Sequence, residues 1–110
     1  MGISIFKRTP YTMAIAKMSR ARKEISQFIE INYPEFKDNI LLADGFDNCF
    51  LGIIENEKGN PVAVYDKWKM IKQLAKDLKS DDGEALEYFD FNIAGSYVGE
   101  YTPKYLDKYE

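Results

Sequence analysis

The sequence predicts an α+β domain in which an N-terminal helix, a small antiparallel sheet and two C-terminal helices share one core. Apolar residues recur at steps of three and four over residues 14–29, 68–78 and 86–97, which is the period of a helix. Two apolar runs, 49–55 and 61–65, flank a polar loop with the composition of a hairpin turn. The 110 residues, 45% of them hydrophobic and 30% charged, are enough to bury a single core. Helices packed on one face of such a sheet define the α+β class.

The N-terminal helix is expected to begin at Thr9 and Pro10, because threonine caps free N–H groups and proline is tolerated in the first helical turn. We expect the helix to end before Tyr33 and Pro34, since proline disfavours helical geometry in the residue before it. Residues 1–8 are expected to form a loose arm ahead of the helix. The apolar stripe of this helix consists of Ala14, Met18, Ala21, Ile25, Phe28 and Ile29.

The remaining elements follow from short local patterns. Residues 40–43 are expected to form a buried strand, followed by a turn and by a hairpin near 49–65 at the centre of the fold. Asp66 is predicted to cap the second helix, and a third helix is predicted to extend to Tyr97. The chain from 105 to 110 is expected to be weakly ordered. The predicted core residues are Phe50, Ile54, Val62, Val64, Trp68, Ile71, Leu74, Phe89 and Ile93.

Charge divides the chain unevenly. We predict a basic N-terminal extension at 1–17, one globular domain at 18–106 and a tail at 107–110. Residues 1–23 carry six basic groups and no acid, whereas the rest carries eighteen acidic against nine basic groups. An acidic body repels nucleic acid at long range, although the basic N-terminus could contact phosphates locally. No apolar stretch approaches the ~20 residues of a membrane helix, so no membrane partner is expected. The single cysteine, Cys49, excludes an intramolecular disulfide and favours a cytoplasmic location.

The sequence offers little for catalysis. It contains no histidine and none of the common phosphate-binding, dinucleotide-binding or nucleophile motifs. Cys49 is expected to be a small buried hydrophobic residue, because no histidine is present to activate it. No catalytic residue, cofactor or bound metal is predicted. The rival hypothesis is that Asp44 and Asp47, which share one turn, join Glu87 and Asp90 around a hard cation. The simpler interpretation is that Asp44 shapes the turn and that the other three are surface charges.

Two surface patterns are candidates for binding. A basic patch of Lys17, Arg20, Arg22 and Lys23 could contact nucleic acid or an acidic partner, or could form an ordinary solvated helix face. Tyrosines also recur every four residues near the C-terminus. One interpretation places the first in the core, with the others packed loosely over the surface; the other makes them a contact patch, because tyrosine supplies a large area at low entropic cost. The candidate binding residues in this pattern are Tyr97, Tyr101 and Tyr105.

Several segments also occur in a specific order along the chain. They are DGFD at 44–47, FLG at 50–52, PVAVYD at 61–66, EALEYF at 84–89, FN at 91–92, Gly95, YVGE at 97–100 and TP at 102–103. Over residues 19–106 this pattern resembles a group of small proteins encoded by bacteriophages and prophages. That group carries no known activity, so the resemblance implies no catalytic residue. Its members often begin near the equivalent of Met18, which makes residues 1–17 either an extension or a segment upstream of the translation start.

Together these observations favour a phage-type accessory protein that acts without catalysis in the host cytoplasm, by binding a host or phage protein. An inhibitor of a host defence protein is one concrete form of this expectation. The alternatives are a small carboxylate- or metal-dependent enzyme centred on Asp44 and Asp47, and a nucleic-acid-binding protein that uses the basic helix. The oligomeric state is not predicted.

Overall fold

A computed structural model describes residues 6–8 and 19–109 of the chain, and within them the predicted α+β class is confirmed. Short 3-10 turns at Pro34–Phe36 and Asp47–Cys49 connect the regular elements. The elements in chain order are β1 (Phe6–Arg8), α1 (Arg20–Asn32), β2 (Leu41–Ala43), β3 (Phe50–Glu55), β4 (Pro61–Asp66), α2 (Lys67–Leu78), α3 (Asp82–Tyr88), a π-helix (Phe89–Ala94) and β5 (Lys104–Leu106).

The strands form two small sheets. The predicted hairpin is confirmed: β3 and β4 pair antiparallel, with Phe50 opposite Tyr65 and Glu55 opposite Pro61. The three-stranded sheet is nevertheless mixed, because β5 pairs parallel to β4 on its other side. A parallel pair needs a long crossover, and the helical segments between β4 and β5 provide it. The expectation of weak order from Tyr105 onward is therefore wrong for β5, whose residues are paired to a buried strand.

The second sheet also corrects a prediction. Residues 6–8 form β1, which pairs antiparallel with β2, so the expectation of a loose arm over residues 1–8 is wrong at these three positions. The predicted strand at 40–43 is confirmed as β2. The predicted start of the first helix at Thr9, and the stripe residues up to Met18, lie outside the described residues. A helix that runs continuously through residue 19 is wrong, because Ser19 has an extended backbone and α1 begins at Arg20.

Side-chain caps fix where the helices begin. The Ser19 hydroxyl accepts the N–H of Arg22 at 3.1 Å at the start of α1, which ends at Asn32, before Pro34, as predicted. Asp66 caps α2, as predicted, by accepting the N–H of Lys69 at 3.1 Å. These caps satisfy N–H groups that have no partner within the helix.

The third helix differs from its prediction. The prediction that this helix extends to Tyr97 is wrong. The α-helix α3 ends at Tyr88, a π-helix follows from Phe89, and the helical segment ends at Ala94. The π-helix keeps Phe89 and Ile93 buried and leaves Tyr97 beyond its end. A π-helix adds residues to each turn, so the helical period that the sequence suggests is lost there.

One buried cluster joins residues of α1, β2, β4, α2, α3 and the π-helix. The Tyr65 ring is at its centre, 5.8 Å from the Phe50 ring, and the Tyr65 hydroxyl accepts the N–H of Ala43 at 2.7 Å, which joins β4 to β2. Cys49 is buried, as expected. The predicted core residues that are buried are Val62, Val64, Ile71, Leu74, Phe89 and Ile93, with Phe50 partly buried.

The prediction of core positions is wrong for two residues, Ile54 and Trp68. Ile54 is 46% exposed because β3 is the edge strand of its sheet, with β4 on one side only. Trp68 is 40% exposed in the first turn of α2, where its indole N–H donates to Asp107 at 3.1 Å and Lys67 Nζ lies 5.6 Å from the ring centroid. Phe28, placed on the buried stripe of α1, is also exposed.

Candidate functional site

The structure brings together residues that the sequence assigned to different candidate sites. Arg22 donates through Nε and Nη2 to Asp47 Oδ1 at 3.0 and 2.9 Å. The Ser19 hydroxyl donates to Asp47 Oδ2 at 3.4 Å, and Asp44 Oδ1 lies 3.8 Å from Arg22 Nη2. The Arg22 and Asp47 side chains are only 10% and 16% exposed. Arg22 therefore belongs to an internal ion pair that fastens α1 to the turn before β3, and its prediction as part of an exposed basic patch is wrong.

The same ion pair changes what the two aspartates can do. The guanidinium of Arg22 lies where a cation would have to approach Asp47. Within residues 6–8 and 19–109, no three Asp, Glu or Cys residues are grouped so as to hold a metal ion. Glu87 and Asp90 line a different surface hollow from Asp44 and Asp47. The four carboxylates are thus divided between two places on the molecule.

The rest of the basic patch does not form a continuous surface in the described residues. Arg20 is exposed and its Nε lies 3.4 Å from Glu24 Oε2, so part of its charge is balanced within the helix. Lys23 is partly buried, and Lys17 lies outside the described residues. Nonspecific nucleic-acid affinity grows with the number of phosphates neutralised. Within the described residues, this face without Arg22 offers only Arg20 and Lys23 to a polyanion.

The C-terminal tyrosines fall into different environments. Tyr97 is 75% exposed, so the interpretation that places it in the core is wrong. Tyr101 is partly buried, with its ring centroid 6.4 Å from that of Phe36. Proline at 103 and the turns around it break the four-residue repeat, so the tyrosines do not line up on one face.

Tyr105 is partly buried and packs against the core. Its ring packs edge-on against Phe89 at 5.1 Å and lies 6.5 Å from the Tyr65 ring. Its hydroxyl oxygen is buried and has no hydrogen-bond partner in the described part of the chain. Burial raises the pKa of Tyr105, and burial raises the pKa of Tyr65 likewise. The role of Tyr105 in contacting a partner stays a prediction, and the packing of its ring against the core does not favour that role.

An exposed aromatic residue that the sequence analysis did not select lies on the π-helix. Phe91 is 85% exposed, while Phe89 and Ile93 on either side of it are buried. Phe91 lines a surface hollow with Glu87, Asp90 and Gly95. The exposure of Phe91 could have been predicted from the sequence, because Phe91 lies off the apolar stripe of Leu86, Phe89 and Ile93.

Gly95 connects this hollow to Tyr97. It also lines the adjoining hollow, in which Tyr97 takes part, so the two exposed rings lie on neighbouring hollows that share Gly95, and we refer to the two hollows together as one strip of surface. We call Glu87, Asp90, Phe91, Gly95 and Tyr97 the acidic aromatic surface. Single exposed apolar side chains are normal on a protein surface, whereas neighbouring ones can form the apolar patches that mark interaction sites.

The chain around Tyr97 is held in place by hydrogen bonds. The Thr102 hydroxyl accepts the N–H of Val98 at 3.0 Å, closing a loop just after Tyr97. Asn56 Nδ2, in the hairpin loop between β3 and β4, donates to the Glu100 carbonyl at 2.9 Å. A fixed backbone lowers the ordering cost of binding, because fewer conformations are lost when a partner docks.

Negative charge prevails in the segment that carries the acidic aromatic surface. Residues 80–103 contain six acidic residues and no lysine or arginine. Asp82 is paired with Lys72, but Glu87 and Asp90 make no ion pair with any described residue. At Phe91, the acidic aromatic surface therefore presents negative charge that no ion pair with a described residue balances.

Comparison of the chain with models of protein families, with curated proteins and with solved structures gives no match. Among the described residues, no helix has the length and apolar character needed to cross a membrane. The functional inference therefore depends on the surfaces of this chain.

Proposed function

We propose that this protein acts by binding a protein partner through the acidic aromatic surface, without a catalytic step. The observation that carries the proposal is the exposure of Phe91 and Tyr97, at 85% and 75%, on one strip of surface. Burying a large apolar side chain contributes about 1.5–3 kcal/mol, and aromatic residues supply much of the binding energy at protein interfaces.

The resemblance to phage-encoded proteins supports a host or phage protein as the partner, and hence the host cytoplasm as the place of action. Inhibition of a host defence protein is consistent with this proposal, because occupying a surface on another protein can block it without turnover. The acidic character of residues 80–103 favours a partner with a basic surface.

The geometry gives less support to the two alternatives. A carboxylate- or metal-dependent enzyme at Asp44 and Asp47 would have to displace Arg22, which donates two hydrogen bonds to Asp47. A nucleic-acid-binding surface on α1 would lack Arg22, whose side chain is buried in that ion pair. The acidic aromatic surface itself would repel phosphates.

The test is affinity capture from host cells with three matched baits. We expect the wild-type chain to retain a host or phage protein in stoichiometric amount, and the double variant Phe91→Ala/Tyr97→Ala to lose it. Tyr109→Ala is the control, because Tyr109 is almost fully exposed but lies outside the acidic aromatic surface. Truncating two interface anchors should weaken binding by about 30-fold or more, which corresponds to about 2 kcal/mol. Equal retention of the same protein by the double variant would contradict the proposal, as would capture of nucleic acid that survives high salt.

A further inference from the structure

The two ends of the acidic aromatic surface differ in charge. Among the described residues, Glu87, Asp90 and Gly95 line the hollow at Phe91, and none of these lining residues is basic. The hollow on the hairpin side of Tyr97 contains lysines as well as acids, and there Lys104 Nζ lies 3.5 Å from Glu57 Oε1. The charge at the Tyr97 end is thus partly balanced within the chain, while the charge at the Phe91 end is not.

We propose that the hollow at Phe91 receives an arginine side chain from a basic segment of the protein partner; this inference rests on the function proposed above. A guanidinium can stack on an aromatic ring while its N–H groups donate to carboxylates beside the ring. Glu87 and Asp90 supply the carboxylates and Phe91 supplies the ring, all around one hollow. Charge complementarity therefore selects the occupant.

Other occupants fit this hollow less well. In the described part of the chain, a phosphate-bearing ligand at this hollow would meet two carboxylates without an ion-pair partner and no basic lining residue. A divalent metal ion usually takes six or more oxygen ligands, and this part of the surface offers two side-chain carboxylates and an aromatic ring. A lysine ammonium gains the charge interaction but lacks the planar fork that binds carboxylates while stacking on the ring.

Direct binding of synthetic peptides tests this inference. The probe is an eight-residue peptide of alternating arginine and serine, with the lysine–serine peptide as its counterpart, each titrated into the full chain and followed by backbone amide chemical shifts. We expect the arginine peptide to shift the amides of residues 87–97 and to bind at least threefold more tightly than the lysine peptide. Its affinity should fall as salt is raised, because the carboxylates are exposed.

Matched variants separate the hollow from net charge. Glu87→Gln/Asp90→Asn should weaken the arginine peptide about tenfold, whereas Glu84→Gln/Asp77→Asn removes the same charge from exposed positions outside the hollow and should change affinity less than twofold. Phe91→Leu keeps an apolar side chain but removes the ring, and should abolish the preference for arginine over lysine.

Each contrary result overturns the arginine inference. The inference fails if both double variants weaken binding of the arginine peptide equally, or if that peptide binds no more tightly than the lysine peptide. It also fails if the arginine peptide does not bind, or if it shifts amides outside residues 87–97. A concentration-dependent dimer that is lost in Glu87→Gln/Asp90→Asn would assign the hollow to a second copy instead. If the arginine peptide fails but Phe91→Ala/Tyr97→Ala still abolishes partner capture, only the arginine inference fails. If capture is also unaffected, the proposed function fails with it.

Discussion

Gly95 lies at the base of the acidic aromatic surface, and replacing it by alanine probes how the π-helix is built. A Cβ added at Gly95 would lie 2.8 Å from the carbonyl oxygen of Asp90 and 3.3 Å from that of Phe91. Both atoms belong to the backbone of the π-helix, which does not rotate aside as a flexible side chain would. The segment that carries Phe91 must therefore shift to accept the methyl group.

The magnitude follows from two opposing effects. Forcing an extra carbon into a packed position costs about 1–3 kcal/mol. Replacing glycine by alanine also restricts the unfolded chain, which contributes about 0.4–1 kcal/mol in favour of the folded state. We expect Gly95→Ala to lower the free energy of unfolding by about 1–2 kcal/mol. In a domain of 110 residues this corresponds to a fall of roughly 4–10 °C in the melting midpoint. Urea and thermal unfolding followed by circular dichroism measure both quantities.

Gly83→Ala is the matched control. A Cβ at Gly83, in the first turn of α3, would have only one close neighbour, Asp81 Oδ1 at 3.4 Å, which is an ordinary contact. Gly83→Ala should therefore raise the free energy of unfolding by about 0.5–1 kcal/mol, because alanine is a better helix former than glycine. If Gly95→Ala is as stable as the parent, or if both variants move in the same direction, the close packing inferred at Gly95 is wrong.

Three further predictions concern the core and the buried ion pair. Tyr65→Phe should lower the free energy of unfolding in urea by about 1–3 kcal/mol, because the Ala43 N–H loses its buried acceptor. Tyr105→Phe removes a hydroxyl without a hydrogen-bond partner and should leave that free energy unchanged. Equal losses of stability in the two variants would contradict this difference. Burial raises the pKa of both tyrosines, so the folded chain holds these protons more tightly than the unfolded chain. Stability should be intact below about pH 10 and fall above it, and the fall should be smaller in Tyr105→Phe. Arg22→Ala should cost about 3–5 kcal/mol by leaving Asp47 unpaired, and a double-mutant cycle with Asp47→Ala should give a coupling of about 0.5–3 kcal/mol; additive costs would refute the ion pair.

Local chemistry explains the elements that the sequence predicted. Pro34 ends α1, Asp66 caps α2, and the polar loop at 56–60 separates the two strands of the hairpin. Each signal acts within a few residues of the boundary that it sets, because a cap or a proline changes hydrogen bonds in its own turn of the chain. Such boundaries are therefore readable without knowledge of the tertiary structure.

The candidate sites depended on contacts that are distant in sequence. Arg22 and Asp47 are 25 residues apart, and as sequence they looked like a basic patch and an acidic turn. Phe91 was not selected from the sequence as a binding residue and was named only within the FN segment at 91–92. Its value as a binding residue depends on Tyr97 and the unpaired acids that lie on the same strip of surface.

The sequence by itself determined the α+β class, the hairpin and the start of α2, which the Asp66 side chain caps. Tertiary structure alone decided that Tyr105 enters the core on β5, that Ile54 faces solvent at a sheet edge, and that the third helix changes to a π-helix at Phe89. Tyr65 of β4 lies opposite Tyr105 of β5 in a parallel pair, and the α2–α3 crossover separates the two strands in sequence. The residues near each strand therefore do not indicate which strand it pairs with. Local hydrogen bonding specifies where an element begins, whereas the burial of each of its faces is decided by which distant element packs against it.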